Sequence, residues 1–240
     1  MKNSILALLL TTTVSVVIFQ SCSNNSQATD EMQDPIVQNA DSASSKTSDS
    51  AAKNISALNL ENMQSAFKGE TTASAKYAAY SKKAEEEGFH EIALLFKAAS
   101  TSEKIHANNH KAVLEDAGQT VPEIKPEFTV NTTAENLKDA IAGEGYEIST
   151  MYPEFITNAN TAGNQLSLIS LNYAYKTEQK HKPFYEKALA ALESNNVKSL
   201  TSVYYVCPTC GNTYETTASK RCGLSMTSSE KFIRISTLNS

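Results

Sequence analysis

Apolar and small side chains recur at alternating steps of three and four residues in four stretches of the chain, between about residues 54 and 194. This spacing places them on one face of an α-helix, so each stretch predicts a helix with a buried stripe. Four such helices predict an all-α bundle. The stripes are Leu60, Met63, Phe67, Glu70, Ser74 and Tyr77; Phe96, Ala99, Glu103, His106, His110 and Val113; Leu137, Ile141, Glu144, Ile148, Met151 and Phe155; and Leu171, Ala174, Glu178, His181, Tyr185, Ala188 and Leu192.

Turn residues indicate how the predicted helices are connected. Gly88 and Gly163 follow the first and third helices and mark short turns, so each joins two antiparallel neighbours. The second connection, residues 118–131, contains two prolines and is long enough to cross the end of a bundle. The run from Thr132 to Glu135 has the pattern of a capping box that opens the third helix.

Pro153 interrupts the third predicted helix. Proline has no backbone N–H, so it removes one helical hydrogen bond. We therefore expect a kink near Met151 and Tyr152.

Carboxylates interrupt every stripe near its middle, and two stripes add histidine. The residues that face the core are Glu70, Glu103, His106, Glu144, Glu147, Glu178 and His181. Unpaired buried carboxylates are so unfavourable that several of them together would exceed the ~5–15 kcal/mol stability of a typical domain. No Lys or Arg lies on the stripes to pair with them. Two metal cations would neutralise the cluster.

Two Glu-x-x-His pairs indicate the kind of site. Glu103 with His106, and Glu178 with His181, place a carboxylate and an imidazole on adjacent turns of one helix face. One such pair is weak support, but two pairs in phase with separate stripes are specific. With one Glu from each other helix, they match the two-metal carboxylate sites of four-helix bundles. These ligands suit iron or manganese. The competing interpretation is a bundle with exposed acidic faces.

The composition narrows the class of protein. The chain of 240 residues is 40% hydrophobic and 20% charged, which is ordinary for a globular protein and excludes wholesale disorder. A formal charge of -5, without a Lys/Arg cluster, indicates no nucleic-acid partner. The length allows one ordinary domain and a small one.

The first 22 residues are typical of an export signal. Lys2 precedes an uncharged, mostly apolar run over residues 5–19, which is too short to span a bilayer comfortably. The sequence Phe-Gln-Ser then leads to Cys22, and this resembles a bacterial lipoprotein signal, in which the cysteine is acylated. An ordinary secretory peptide and an uncleaved anchor are the alternatives. In each case we expect the mature protein outside the cytoplasm.

Residues 23–53 are rich in Ser, Asn, Gln, Ala and Asp and contain few large apolar side chains. Such a segment cannot bury enough surface to offset its ordering entropy. We predict a disordered tether here, then the helical bundle over residues 54–196, and a second small domain over residues 200–236.

Cysteines define the second domain. Cys207 and Cys210 lie in a Cys-Pro-Thr-Cys-Gly run, and Cys222 begins a Cys-Gly-Leu-Ser run that ends at Ser225. A Cys-x-x-Cys-Gly knuckle turns both sulfurs towards one point, and two knuckles make a tetrahedral metal site. The pair resembles a rubredoxin-type site in which Ser225 replaces the fourth cysteine.

Ser225 leaves three interpretations open. In the first, three thiolates and one oxygen bind iron, more weakly and at an altered potential because a protonated hydroxyl is a poor ligand. In the second, the site binds zinc or nothing and has a structural or vestigial role. In the third, Cys207 and Cys210 form a disulfide, which an extracytoplasmic compartment permits.

Several runs of the sequence, taken together, resemble the rubrerythrin family. They are Phe67-Lys68-Gly69-Glu70, Glu103-Lys104-Ile105-His106, Gly143-Glu144-Gly145-Tyr146-Glu147, Met151-Tyr152-Pro153-Glu154-Phe155 and Glu178-Gln179-Lys180-His181. The resemblance covers most of the chain, including the order of the two domains. It implies a ferritin-like four-helix bundle followed by a small rubredoxin-like β domain.

The resemblance also implies a ligand set for two irons. Glu103 and Glu178 would bridge them. Glu70 would bind one iron, and Glu144 and His181 would bind the other.

The resemblance also implies roles for four further residues. Glu147 and His106 would be alternative ligands of the first iron, exchanging as the oxidation state changes. Tyr77 and Tyr152 would place their hydroxyl groups close to the carboxylate ligands. The two remaining histidines of the chain match no ligand of the family.

The function implied by the resemblance is that of a non-haem di-iron peroxidase, which reduces hydrogen peroxide to water. An unknown donor would supply electrons through the C-terminal iron site, typically across a head-to-tail homodimer. The lipid on Cys22 would anchor the protein to a membrane of the bacterial cell envelope, facing the periplasm or the cell surface. The alternatives are an iron-binding or ferroxidase protein without peroxidase turnover, and a structural or partner-binding descendant without chemistry.

Overall fold

The computed structural model describes residues 41–239, with side chains from residue 52 onwards. Within this range the helices are α1 (Asp41–Glu86), α2 (His90–Asp116), α3 (Thr133–Tyr146), α4 (Tyr152–Thr161) and α5 (Gln165–Glu193), and a π-helical segment spans Glu147–Met151. Because α3, the π-helical segment and α4 follow one another without a gap, together they form the third of the four predicted helices.

The first helix begins earlier than predicted. α1 starts at Asp41, so residues 41–53 are helical and the structure contradicts the predicted disordered tether over this part. A helix that is already formed extends at little cost, because each added residue gains a hydrogen bond without a new nucleation step. Residues 23–40 of the predicted tether, and the predicted signal with Cys22, lie outside the described residues. None of the described helices combines the length and hydrophobicity that a bilayer span requires.

The bundle interior consists of three layers along the helices. One apolar cluster includes Phe96 and Tyr185, and a second includes Met63 and Leu171. On each of the four predicted helices, the site residues lie in sequence between members of the two clusters, as Glu178 does between Leu171 and Tyr185. The predicted stripe residues are all buried or partly buried. The acidic layer therefore has an apolar layer on either side of it.

The predicted connections are present. Gly88 and Gly163 adopt φ angles of 85° and 66°, a region that favours glycine, in the turns after α1 and α4. Residues 117–132 form the long connection between α2 and α3. Thr132 Oγ1 accepts a hydrogen bond from the Glu135 amide, and the Glu135 side chain accepts one from the Thr132 amide, so the capping box is confirmed.

The irregularity predicted at Pro153 takes the form of a change in helical winding. The π-helical segment lies directly before α4, whose first turn contains Pro153. Proline cannot donate a hydrogen bond to the preceding turn, and the helix adopts a single π-helical turn there. Pro183, which the sequence pattern did not single out, lies inside α5, and the helix continues through it.

The C-terminal module, residues 200–236, contains three short strands: β1 (Tyr204–Val206), β2 (Thr213–Glu215) and β3 (Ile233–Ile235). They form an antiparallel sheet with the order β2-β1-β3. Tyr204 and Val206 belong to the same apolar cluster as Leu95 and Phe96 of α2. The module is therefore packed on the bundle of its own chain.

Candidate metal centre

Two groups of potential ligands lie side by side in the acidic layer of the bundle. The first comprises Glu70, Glu103, His106 and Glu178, and the second comprises Glu103, Glu144, Glu178 and His181. In each group, ligand atoms of the four residues lie within 4.8 Å of one another, and all of these residues are buried. Because Glu103 and Glu178 belong to both groups, they occupy the positions that bridging ligands of two ions require.

The two imidazoles face the shared carboxylates in the same way. His106 Nδ1 lies 2.9 Å from Glu103 Oε2 and 3.0 Å from Glu178 Oε1. His181 Nδ1 lies 3.0 Å from Glu103 Oε1 and 2.9 Å from Glu178 Oε2. Each carboxylate therefore presents one oxygen to each imidazole. This near-symmetry follows from the three-residue spacing of both Glu-x-x-His pairs, which puts both side chains on one helix face.

Most of the buried side-chain atoms without a hydrogen-bond partner, among the described residues, belong to this centre. They are both oxygens of Glu103, both oxygens of Glu178, Glu144 Oε2, and the Nδ1 atoms of His106 and His181. None of these atoms has a hydrogen-bond partner, although the Nδ1 atoms of the two imidazoles lie 2.9–3.0 Å from oxygens of Glu103 and Glu178. Leaving one buried polar atom unpaired costs about 1–3 kcal/mol, so such a concentration needs a specific reason. Lone pairs that converge in this way fit two cations.

Burial and mutual repulsion shift the pKa values of the cluster. Burial raises the pKa of Glu70 to about 7, although His106 partly offsets the shift. Burial, reinforced by neighbouring carboxylates, raises the pKa values of Glu144 and Glu147 well above their usual range. Burial would lower the pKa of His106, but Glu178, Glu103 and Glu70 together outweigh it and raise that pKa well above its usual value. Without cations, the cluster therefore retains protons.

The two predicted tyrosines donate hydrogen bonds to ligand carboxylates. Tyr77 donates to Glu144 Oε1 over 2.8 Å, and Tyr152 donates to Glu70 Oε1. Burial, together with these carboxylates, raises the pKa values of both hydroxyl groups well above their usual range. Both tyrosines therefore remain donors, and each fixes one oxygen of a carboxylate.

Glu147 is placed differently from the other predicted ligands. It is half-buried at the start of the π-helical segment and belongs to neither group of converging ligand atoms. Instead it lines a cavity of about 360 Å³, together with Tyr77, Gly69 and Gly143. Of the two residues predicted to exchange, it is His106 that faces the shared carboxylates in this structure.

The two remaining histidines lie outside both groups. His110 is buried, with Nδ1 2.7 Å from Ser170 Oγ and Nε2 3.4 Å from the Tyr152 hydroxyl. Burial lowers the pKa of His110 to about 3, so the ring is neutral. His90 Nδ1 lies 2.8 Å from Glu85 Oε2 at the turn between α1 and α2. That neither histidine is a ligand stays a prediction.

The C-terminal module contacts the outer nitrogen of both histidines of the centre. His106 Nε2 lies 3.1 Å from the carbonyl oxygen of Cys210, and His181 Nε2 lies 3.0 Å from Thr213 Oγ1. Such partners orient an imidazole and leave its other nitrogen for a metal. Sequence reasoning missed Thr213, because no local pattern relates a strand residue to a helix residue 32 positions away.

Three thiols and one hydroxyl converge in the C-terminal module. The sulfurs of Cys207, Cys210 and Cys222 lie within 4.8 Å of one another, and Ser225 Oγ lies 3.3 Å from Cys207 Sγ. All three thiols are free, which contradicts the interpretation that Cys207 and Cys210 form a disulfide. Ser225 thus stands where the fourth ligand of a tetrahedral site would be.

The ligand atoms of this second site have partners of their own. A hydrogen bond from Cys210 lowers the pKa of the Cys207 thiol to about 4, and the same contact raises the pKa of Cys210. Ser225 Oγ lies 2.9 Å from Thr227 Oγ1. Three sulfurs and one oxygen suit iron or zinc.

The known proteins that match this sequence belong to one family. The family model described as Rubrerythrin matches residues 61–189. Rubrerythrin-2 of Clostridium acetobutylicum is 30% identical over 177 residues, which cover 73% of this chain and 96% of that protein. Nigerythrin of Nitratidesulfovibrio vulgaris is 35% identical over 160 residues, which cover 63% of this chain and 74% of that protein.

Solved structures agree with the predicted fold. Fully reduced, all-ferrous nigerythrin has a TM-score of 0.66 at 30% identity, over 73% of this chain and 86% of its own. A bacterioferritin of Mycobacterium tuberculosis has a TM-score of 0.52 at 21% identity, over 57% of this chain and 86% of its own. The second likeness concerns the fold alone. Together they confirm a ferritin-like bundle.

Proposed function

Because the chain belongs to the rubrerythrin family, whose members are generally di-iron proteins with peroxidase activity, we propose that it reduces hydrogen peroxide to water at a pair of irons. The observation that carries the proposal is the convergence of buried carboxylate and imidazole atoms without hydrogen-bond partners. Burying several carboxylates together destabilises a fold unless cations neutralise their charge.

The residues that would hold the irons follow from the two groups of ligand atoms. Glu103 and Glu178 would bridge the ions. Glu70 and His106 would bind one of them. Glu144 and His181 would bind the other. When bound as ferrous ions, the pair supplies the two electrons that cleavage of the O–O bond requires.

The chain itself would provide access for the peroxide. Glu147 and Tyr77 line the cavity of about 360 Å³ beside the centre, and Gly69 and Gly143 contribute no side chain to its wall. A Cβ added at either glycine would have no neighbour within 4 Å, so both positions border open space. We propose that hydrogen peroxide, which is small enough to occupy this cavity, reaches the centre past Glu147 and Tyr77.

Tyr77 and Tyr152 would hold the ligand carboxylates in place and keep a hydroxyl proton at the edge of the site. Tyr152 has a second neighbour, because His110 Nε2 lies 3.4 Å from its hydroxyl oxygen. Reduction of one hydrogen peroxide to two waters consumes two protons as well as two electrons. Because burial keeps both hydroxyl groups protonated, they would act as hydrogen-bond donors at the edge of the site, and the two protons would have to come from solvent.

Glu147 and His106 would exchange as ligands of the first iron, as the family resemblance implies. His106 is in the ligand position, and Glu147 lines the cavity and belongs to neither group of converging ligand atoms. Glu147 begins the π-helical segment, a type of turn that often occurs at functional sites. A carboxylate there needs only a local change of winding to approach the centre.

We further propose that Cys207, Cys210, Cys222 and Ser225 hold a single iron, where electrons from an unidentified donor enter. The contact between the Cys210 carbonyl and His106 Nε2 supports this, because it joins the second site to the first by one hydrogen bond. A zinc ion at the second site would abolish electron entry, since zinc has no redox chemistry in proteins.

The location in the cell is a separate proposal. Lys2, the apolar run over residues 5–19 and Cys22 have the pattern of a lipoprotein signal. We propose a lipid anchor on Cys22 that holds the protein in the bacterial cell envelope. Wild-type protein should partition with membranes, whereas Cys22→Ser should remain unprocessed and lack the lipid. Recovery of wild-type protein in the cytoplasm, with its first 22 residues retained, would contradict this.

A single-turnover experiment tests the proposed peroxidase function. Purified protein is loaded anaerobically with ferrous iron, mixed with hydrogen peroxide, re-reduced with dithionite, and mixed with peroxide again while peroxide loss is measured. We expect one peroxide to be consumed per di-iron centre in each cycle, over several cycles. An iron-storage or ferroxidase protein would react once and then release or accumulate ferric iron. No peroxide consumption by the loaded protein would rule out the proposed peroxidase function.

A further inference from the structure

We infer that Ser170, His110 and Tyr152 form a proton relay, which carries one proton from solvent to Glu70 at the edge of the metal centre in each turnover. This role rests on the proposed function, because peroxide reduction is the reaction that consumes protons there. The three residues come from different helices: Ser170 from α5, His110 from α2 and Tyr152 from α4.

The hydrogen bonds of the relay share one direction. Tyr152 donates to Glu70 Oε1, which commits its single hydroxyl proton. The Tyr152 oxygen is then an acceptor for His110 Nε2, 3.4 Å away, so that nitrogen carries the proton of the neutral ring. His110 Nδ1 is left with a lone pair, and it accepts from the Ser170 hydroxyl over 2.7 Å. Each donor therefore faces the next acceptor on the way to Glu70.

Burial fixes the charge state that a relay requires. His110 is fully buried, and burial lowers its pKa to about 3, so the ring is neutral. A neutral imidazole has one donor and one acceptor nitrogen, so a proton can arrive at Nδ1 as another leaves Nε2. The Tyr152 hydroxyl likewise gives up its proton as it receives one, and neither group has to become charged. The 3.4 Å step is the longest, and such bonds often shorten only when substrate is bound.

A seam of buried polar side chains, formed by Asn59, Asn62, Ser167 and Ser170, leads from the relay towards the end of the bundle. Asn59 Nδ2 donates to Ser167 Oγ over 3.0 Å, at the first turn of α5. One turn closer to the metal centre, α1 carries Asn62 and α5 carries Ser170. Asn59 Oδ1 and Asn62 Nδ2 have no hydrogen-bond partner, so each can bind a water molecule. The seam thus offers polar groups between the bundle end and Ser170.

The seam crosses a layer that is otherwise apolar. The cluster at this level of the bundle includes Met63, Val113 and Leu171, whereas the seam residues are polar and no more than 7% exposed. Buried polar groups without a partner destabilise a fold, so a row of them through an apolar layer needs a specific reason. Supply of protons to a centre that this layer separates from water is such a reason.

The relay accounts for one of the two protons that the reaction consumes. Hydrogen peroxide, two electrons and two protons give two waters, and the proposed pair of ferrous ions supplies the electrons. In one passage, protons move from Ser170 to His110 Nδ1, from His110 Nε2 to Tyr152, and from Tyr152 over Glu70 Oε1 to a peroxide oxygen, while water reprotonates Ser170. The ring proton must return to Nε2 before another passage. The second proton would therefore enter with solvent through the cavity that Tyr77 lines.

Nuclear magnetic resonance of zinc-loaded protein tests the relay without turnover, because zinc has no redox chemistry. The nitrogen chemical shifts of His110 show which ring nitrogen carries the proton, and we expect Nε2. In Ser170→Ala, exchange of this proton with water should slow by about 100-fold, the lower end of what a positioned proton donor contributes. The Tyr77 hydroxyl, which lines the cavity, should exchange as in wild type. Ser170→Thr should restore the exchange at His110.

Peroxide reduction then tests whether the reaction uses the relay. Ser170→Ala should keep its iron content, but single-turnover peroxide reduction should be about 100-fold slower. Its solvent deuterium isotope effect should exceed that of wild type, because proton delivery becomes limiting. Ser81→Ala is the matched control, since Ser81 is 5% exposed, Ser170 is 4% exposed, and the Ser81 hydroxyl donates to the Ala93 carbonyl. This control should react like wild type.

A wild-type His110 with its proton on Nδ1 would overturn the relay, because the chain of donors would then be broken. An unchanged peroxide rate and isotope effect in Ser170→Ala would also overturn it. If iron-loaded wild type consumes no peroxide, the proposed function fails instead, and the shifts and exchange rates of the zinc-loaded protein still decide whether the chain of donors exists.

Discussion

The bundle centre and the C-terminal site are both built from converging ligand atoms, but they differ in what those atoms do without a metal. In the bundle, both oxygens of Glu103 and Glu178 have no hydrogen-bond partner. In the C-terminal module, Cys207 Sγ has Ser225 Oγ at 3.3 Å, and Ser225 Oγ has Thr227 Oγ1 at 2.9 Å. The first site is therefore incomplete without cations, whereas the second is satisfied by its own residues.

This difference indicates how strongly each site depends on metal. The bundle concentrates acidic side chains in a layer between two apolar clusters, and only positive charge compensates for their burial. The C-terminal site has one hydroxyl in place of a thiol and an internal hydrogen-bond network. We expect metal binding to determine the stability of the bundle and to be of less consequence for the fold of the module.

Removing a shared ligand should have the largest effect. Glu178→Gln takes away one of the two carboxylates that belong to both groups of ligand atoms. We expect at least about a 100-fold loss of iron affinity in the bundle, with peroxide reduction falling in parallel. The C-terminal site should keep its metal content. Glu154→Gln, on an exposed face of α4, is the matched control.

Mass spectrometry gives the total metal content, and the absorbance of the thiolate site gives the metal in the C-terminal module. The difference is the metal in the bundle. Unchanged bundle iron in Glu178→Gln would show that this carboxylate does not bridge.

The stability of the metal-free bundle and the affinity of the bundle for iron should change with pH in opposite directions. The pKa of Glu70 is raised to about 7, so the metal-free fold binds a proton there that the unfolded chain releases above the usual pKa of 4.5. That contribution to stability is present at low pH and is lost as the pH rises towards 7. Metal must displace the same proton, so iron affinity should fall as the pH falls through about 7.

Thermal melting of the metal-free protein and iron titration, both over this pH range, test these two expectations. In Glu70→Gln, the stability of the metal-free protein should depend less on pH. An iron affinity that rises as the pH falls would contradict the assignment of Glu70 as a ligand.

Ser225→Cys should change the C-terminal site while leaving the bundle unaffected. A fourth thiolate replaces the hydroxyl beside Cys207, so iron should be retained more firmly and give stronger charge-transfer absorbance. We expect about a 10-fold or greater gain in retention against a chelator. Thr227→Cys, next to the same position, is a control for an added thiol that is not at the fourth corner.

Equal retention in wild type and Ser225→Cys would mean that Ser225 is not a ligand. A parallel change in the iron content of the bundle would contradict the independence of the two sites.

A smaller effect is expected from the tyrosines of α1. Tyr77→Phe removes the donor to Glu144, whereas Tyr80→Phe removes a donor to Asp139 at the protein surface. Both rings are buried in the same apolar cluster, so the two variants lose similar packing. We expect about a 10-fold decrease in the iron affinity of Tyr77→Phe and no change in Tyr80→Phe. Equal affinities would show that Glu144 needs no such donor.

Much of the bundle centre could be predicted from sequence because its information is local. A Glu-x-x-His pair places both side chains on one helix face wherever the helix packs, and the hydrophobic stripe then turns that face inwards. Glu103, His106, Glu178 and His181 were found in this way and lie together. The stripe did not predict that Glu147, at the start of the π-helical segment, would lie outside both groups of ligand atoms.

The contacts between the module and the bundle could not be predicted, because they depend on tertiary packing. Nothing near Thr213 in sequence indicates that its hydroxyl meets His181. The start of α1 was missed for a different reason: residues 41–53 lack large apolar side chains, but a helix continued from a packed segment needs none. The outer partners of ligands therefore have to be read from the structure.

The most direct test is an anaerobic ferrous titration of metal-free protein, followed by thermal melting and Mössbauer spectroscopy. We expect two irons per chain to enter the bundle with the spectrum of a coupled pair, and the melting temperature to rise with iron concentration. If the protein binds no pair of ions and melts at the same temperature with and without iron, the acidic layer has another explanation and the proposed di-iron centre is wrong.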